Sequence, residues 1–209
     1  MVVAGVLLVG CGGGPAAPEG PAVIVPGAPG EIARVMPGAE AAERFGPDPT
    51  SPSDVAFVAA MVPHHQQALE MASLAPDRAA DPGVAAMADR IAAAQGPEIA
   101  VMEAWLARQD PDLAGGHGGA HGGAGHGADG TPHPGMATPE QMAELAGATG
   151  PAFDRLFLQL MIAHHEGALR MAEQAVVGGT DLTALQMADH VVATQSAEID
   201  RMRGLLGAA

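Results

Sequence analysis

The chain has 209 residues, 24 of them acidic against 9 basic, for a formal net charge of −15. That balance repels phosphate backbones and argues against nucleic acid as a partner, while cations are well tolerated. The chain is 48% hydrophobic but only 2% aromatic, so its core must be built from Ala, Leu, Val, Ile and Met, and the expected fold is all-α.

The only cysteine is Cys11, which rules out an intrachain disulfide and any Cys-based zinc site. The apolar run Val2–Gly10 ends Leu8-Val9-Gly10-Cys11, and three glycines follow. This resembles a bacterial lipobox, with residues 1–11 as a lipoprotein signal segment and Cys11 as the lipidated residue holding the protein to a membrane. Met1-Val2-Val3 brings none of the Lys or Arg expected at a signal's start, so the coding start is expected upstream. No later stretch reaches the ~18 uninterrupted apolar residues of a membrane helix. The expected location is therefore extracytoplasmic, lipid-anchored or secreted. Residues 12–50 are rich in Gly, Pro and Ala and read as a tether.

From residue 51 the signals are helical. Ser51 can cap a helix, Pro52 suits its first position and Asp54 its first turn. This helix is expected to reach Ala75, with a kink at Pro63. A second runs from Asp81-Pro82 to about Gln109, with Pro97 inside it. Residues 111–137 form a Gly-rich linker carrying His117, His121, His126 and His133, a loose set that could scavenge copper(II), zinc or nickel. Thr138-Pro139-Glu140-Gln141 starts a short helix with a capping box. Long helices then follow over about 151–177 and 181–206, separated by Gly178-Gly179.

One motif organises this region. Met61-Val-Pro-His-His-Gln-Gln-Ala-Leu-Glu-Met71 returns as Met161-Ile-Ala-His-His-Glu-Gly-Ala-Leu-Arg-Met171, and 161 − 61 = 100 holds at every matched position. The same offset relates Met87, Gln95, Glu98 and Met102 to Met187, Gln195, Glu198 and Met202. Repeat 1 is therefore 51–110 and repeat 2 is 138–209. Two hairpins that cannot each bury an apolar face alone are expected to pack as a four-helix bundle.

Helical spacing separates the paired histidines by about 100°. His64 shares a stripe with Phe57, Met61, Ala68 and Met71, and His164 shares the twin stripe with Met161 and Met171. His65 and His165 fall in the more aliphatic stripe, where a core histidine with a hydrogen-bond partner is an equal reading. Met102 and Met202, on the following helices, can face these stripes. Thioethers beside imidazoles suit a soft ion, copper(I) first and silver(I) with it, while imidazole also accepts copper(II). Outside the cytoplasm a thioether resists the oxidation that removes free thiols. The first candidate ligands are Met61, His64 and Met71 with Met161, His164 and Met171. His65, His165, Met102 and Met202 come second.

An enzyme is not expected. No Glu is followed by His at the third position, as a di-iron carboxylate bundle needs, and no Ser or Cys has an evident base and acid partner.

The run Phe57 to Ala72, the segment Gly135-Met136-x-Thr138-Pro139-Glu140-Gln141-Met142, the pair Phe153-Asp154 with Phe157, and Met161 to Ala168 together resemble the bacterial domain of unknown function 305 family, over about Ser51 to Leu206. The resemblance implies a ferritin-like helical bundle, usually secreted or lipid-anchored, in a family that includes CopM-like copper-binding proteins. It also implies the Met and His positions above as candidate ligands. The resulting expectation is a lipid-anchored copper(I) protein for copper handling or tolerance, working with a copper-efflux partner or a second copy of itself. The alternative is a metal-free envelope interaction module whose Met-rich faces pack on one another or on a partner.

Overall fold

Capping residues decide where the helices begin. In the computed structural model, which describes residues 22–25, 32–45, 50–110 and 133–208, helix α2 spans Pro52–Ser73, a single turn α3 Ala75–Arg78, and α4 Pro82–Gln109. Helices α5 (Pro139–Gly147), α6 (Gly150–Gly178) and α7 (Leu182–Ala208) complete the bundle. Ser51 and Asp54 close a capping box at α2, and Thr138 and Gln141 close another at α5. Asp81 caps α4 through Gly83 N. Both α2 and α4 run unbroken through Pro63 and Pro97.

Residues 1–47 form a unit of their own. Strands β1 (Ala22–Val25) and β2 (Arg34–Pro37) pair antiparallel, with Ala22 opposite Pro37 and Val25 opposite Arg34, and helix α1 (Gly38–Phe45) follows. The expected structureless tether over 12–50 thus contains a hairpin and a helix. The β-branched run Val23-Ile24-Val25 supplies strand propensity that the surrounding Pro and Gly obscure. Cys11 and the linker histidines His117, His121 and His126 lie outside the described residues.

In the second unit, residues 48–209, α2 packs on α4, α6 on α7, and α2 on α6. Inner helices α2 and α6 run antiparallel. The start of α2 meets the end of α6, where Ser51 Oγ donates to Gly178 O at 3.0 Å. The start of α6 meets the turn before α4, where Asp154 accepts from Ala80 N and Asp81 N at 3.1 and 2.9 Å. Asp54 repeats that contact from the other side, accepting from Thr180 N and Asp181 N, both at 3.0 Å. Each inner helix therefore lends a buried carboxylate to the start of the other hairpin's outer helix. Burial alone would raise the Asp54 carboxyl, but the N–H groups of Thr180, Asp181 and Ser51 hold it below the usual carboxylate range. Gly179 ends α6 without a left-handed backbone; a side chain there would collide with the Asp54 carboxylate.

The antiparallel crossing divides the core in two. One cluster joins Met71 of α2, Met87 of α4, Met161 of α6 and Met202 of α7. The other joins Met61, Met102 and Met171, with Met187 packed against it. Among the described residues no helix is long and apolar enough to cross a membrane.

Candidate metal centre

Between the two clusters, where α2 crosses α6, the His64 and His164 rings meet in a tilted pair. Their centroids are 3.7 Å apart with planes 38° apart, and both residues are 0% exposed. Met61 and Met161, also fully buried, sit one helical turn before them on the same faces. Burial drives the His64 pKa down to about 3 against the pull of the Pro134 carbonyl, with small further repulsion from His65, His165 and His133. His164 is held well below the ordinary imidazole value, by burial first and by His64 second. Both rings are therefore neutral at physiological pH and keep a lone pair.

The two rings differ in their partners. His64 Nε2 lies 3.0 Å from Pro134 O, and Nδ1 has no partner. A neutral ring facing a carbonyl donates to it, so the proton belongs on Nε2 and the lone pair on Nδ1. His164 makes no well-formed hydrogen bond at either nitrogen, and the His64 backbone pulls on its ring only weakly. An unsatisfied buried N–H costs about 1–3 kcal/mol. That cost falls on one nitrogen of His164, and a bound cation at the other would give the lone pair a role.

The segment His133–Ala137 forms a strap over this pair. Gln67 fastens it twice, donating to Ala137 O at 2.9 Å and accepting from Ala137 N at 2.8 Å. On the α6 side the twin position is Gly167, where a Cβ would run into the Pro134 carbonyl. Gly135 has φ 82° and lies against Ala163 O, so the strap needs glycine at both places. The strap explains a difference between the repeats that the sequence shows but does not account for: glutamine holds it and glycine makes room.

His65 and His165 are equally buried but engaged elsewhere. Their Nε2 atoms meet Glu98 Oε2 at 2.8 Å and Glu198 Oε2 at 2.9 Å, and their Nδ1 atoms have no partner. A carboxylate behind an imidazole is the arrangement that orients metal-ligating histidines. Burial would raise the Glu98 carboxyl, but the hydrogen bond from His65 keeps it below its ordinary value.

Met61 and Met71, both first candidates beside His64, do not lie together. Ten residues of helix separate Met61 from Met71 by about 15 Å, and the antiparallel crossing puts them in different clusters. Met61 instead keeps company with Met102 and Met171, and Met161 with Met71 and Met202. Among the described residues no three His, Cys, Asp or Glu side chains converge to hold a metal. A centre here must draw on thioethers, which favours a soft monovalent ion over zinc or another hard divalent ion. For such an ion the residues fit, with two neutral imidazoles, free lone pairs and a Met one turn from each.

The sequence profile described as Domain of unknown function (DUF305) matches residues 54–206. A DUF305 protein from Streptomyces coelicolor, assigned to the secreted class, is 31% identical; the match covers 74% of this chain and 92% of that one, with a TM-score of 0.61. A DUF305 fragment from Deinococcus radiodurans is 29% identical over 78% of this chain and 100% of that one, with a TM-score of 0.63. CopM in its Cu(II)-bound form is 30% identical over 74% of this chain and 95% of that one, with a TM-score of 0.60. CopM structures with Cu(I) and with Ag match as well. No curated protein matches significantly.

Proposed function

The chain belongs to the DUF305 family, and from that premise we propose that it binds copper(I), and silver(I) with it, for copper handling outside the cytoplasm. The observation that carries this reading is the buried His64–His164 pair, neutral and with unpartnered nitrogens, at the centre of a methionine-lined bundle. His64 would bind through Nδ1, His164 through either nitrogen, and Met61 and Met161 would add sulfur. The copper- and silver-bound forms of CopM support the choice of ion.

Neutral donors suit a monovalent cation, because burying it leaves one net charge rather than several. The bundle also shields the ion from water and oxidant, which is what a carrier requires and a turnover site does not. We therefore assign binding rather than catalysis. Placement outside the cytoplasm, with a lipid on Cys11, rests on the lipobox-like run and on the secreted class of the Streptomyces coelicolor relative.

The test is anaerobic copper(I) titration of the full chain against a competing chelator, with His117, His121 and His126 replaced by Ala so that the linker does not contribute. The tightest equivalent bound is expected to weaken at least a hundredfold in His64→Ala/His164→Ala, whatever binds more weakly elsewhere. A tight equivalent unchanged in that variant would remove the assigned centre. No tight equivalent at all would leave a metal-free interaction module as the reading.

A further inference from the structure

Met61 and His64, and Met161 and His164, share a spacing in which the methionine precedes the histidine by three residues. The chain contains that spacing a third time, in Met187-Ala-Asp-His190 on α7. The corresponding place in repeat 1 reads Met87-Ala-Asp-Arg90. His190 thus stands where the repeats diverge.

The third pair opens on its own cavity. Between α4 and α7 lies a space of about 350 Å³ lined by Met102, Met187, His190, Glu98 and the edge of His65, among others. Glu98 spans it, with Oε2 2.8 Å from His65 Nε2 and Oε1 3.1 Å from His190 Nε2. The His190 side chain is 59% exposed, Glu98 19% and His65 0%, so one carboxylate connects an imidazole in solvent to one in the core. The repeat-related cavity, about 370 Å³, is lined by Met87, Arg90 and Arg201 instead. Two guanidiniums there repel a cation, whereas the first cavity offers two thioethers, an imidazole and a carboxylate.

We propose that the α4–α7 cavity is a second, outer site for a soft monovalent cation, held by His190, Met187 and Met102 with Glu98 as its counter-charge. The site rests on the soft-metal reading of the central pair and deepens it. It sits at the solvent end of the His190–Glu98–His65 chain, and His65 adjoins His64 in sequence, so it is placed to receive an ion before the buried pair does. His190 Nε2 is engaged by Glu98, which leaves Nδ1 to the ion. The single negative charge of Glu98 balances the single positive charge of the ion.

The test uses the full chain with His117, His121 and His126 replaced by Ala and its methionine methyls carbon-13 labelled. Silver(I), which is diamagnetic and shares copper(I)'s ligand preference, is titrated to two equivalents. Met187 is the reporter, since it lines the outer cavity and not the central pair. Its methyl should shift in a step distinct from that of Met61 and Met161. His190→Ala/Met187→Leu should lower the silver stoichiometry from two to one, His190→Gln alone should weaken the outer step at least tenfold, and Arg90→Ala should change neither step. In His64→Ala/His164→Ala the Met187 response should persist. A Met187 methyl unmoved at two equivalents, with Met61 and Met161 responding normally, overturns the outer site and leaves the central one. A Met187 response with Met61 and Met161 silent retains the outer site and overturns the central one.

Discussion

The two repeats share their scaffold and differ at their contacts. Asp54 and Asp154 make matching clamps, and His65–Glu98 and His165–Glu198 match to within 0.1 Å, from 2.8 and 2.9 Å. Yet His64 has an acceptor in Pro134 while His164 makes no well-formed hydrogen bond, and Glu98 takes a second imidazole from His190 where repeat 1 offers only Arg90. Gln67 fastens the strap, whereas its twin Gly167 is the gap in which the strap lies. The matched features lie where the hairpins clamp each other and where each hairpin ties its own two helices together. The unmatched ones surround the paired imidazoles and the outer cavity. Duplication alone explains the first group, while the second marks where the repeats diverge.

The largest effect should come from the matched clamps. Asp54→Ala leaves Thr180 N and Asp181 N without their charged acceptor, and Asp154→Ala does the same to Ala80 N and Asp81 N. Charge-assisted hydrogen bonds contribute about 1.5–3 kcal/mol each, and with water taking up the exposed Ala80 and Thr180 amides each variant should lose about 3 kcal/mol. Urea unfolding at pH 7 should show both losses, the Asp54 loss the larger because that carboxylate also accepts from Ser51 N and Oγ, both at 2.8 Å. A loss at one site only would break the symmetry of the clamps.

Next in size is a pH dependence carried by the central pair. The folded His64 titrates near 3 and His164 well below its ordinary value, whereas both take up a proton near 6.5 in an unfolded chain. Their folded values are depressed, so over this window the unfolded state binds more protons and stability falls as pH falls. The contribution is constant above about 6.5 and declines below it by at most about 1.4 kcal/mol per pH unit for each histidine. Asp54, also depressed, adds its own loss only below the ordinary carboxylate range. Metal-free protein should therefore lose urea stability between pH 7 and pH 5, and His64→Gln/His164→Gln should flatten that slope. A flat profile for the parent protein would show that the pair is not buried neutral.

The helices were legible because their caps are local. Ser51, Asp81 and Thr138 each stand immediately before a proline that suits a helix's first position, and the helices start there. What the stripes could not convey was direction. The 100-residue offset invites a pairing of like with like, Met61 beside Met161, but the inner helices cross antiparallel and bring Met61 to Met171. Direction is set by Asp54 and Asp154 reaching across, contacts more than 70 residues apart in sequence. His190 carried a local signal in its spacing from Met187, but a search for matches between repeats passes over it because position 90 is Arg. The Pro134 strap left only an indirect trace, the change from Gln67 to Gly167.

That change gives the next prediction. A Cβ at Gly167 meets the backbone carbonyl of Pro134, which cannot swing aside as a flexible side-chain tip would. Gly167→Ala should cost about 2 kcal/mol, within the range for overpacking. Gln67→Ala removes two hydrogen bonds at a partly exposed strap and should cost about 1 kcal/mol. Both should speed amide exchange at Ala137, and both should weaken copper(I) binding by loosening the carbonyl that fixes the His64 tautomer. Amide exchange unchanged in Gly167→Ala would mean the strap does not depend on that gap.

The smallest expected effect bears most directly on the contrast between the outer cavities. His190 is 59% exposed, and its 3.1 Å contact with Glu98 faces solvent, where an ion pair contributes about 0–1 kcal/mol. In metal-free protein His190→Ala should shift unfolding by less than about 0.5 kcal/mol, because Glu98 still holds His65 through its other oxygen. With silver(I) present the same variant should lose the extra stability that the outer ion confers on the parent, since a ligand that binds only the folded state stabilises it by mass action. The two measurements separate the roles of position 190. A residue that matters only when the ion is present is a ligand. One that costs as much without the ion is a strut, and His190 would then differ from Arg90 in packing rather than in chemistry.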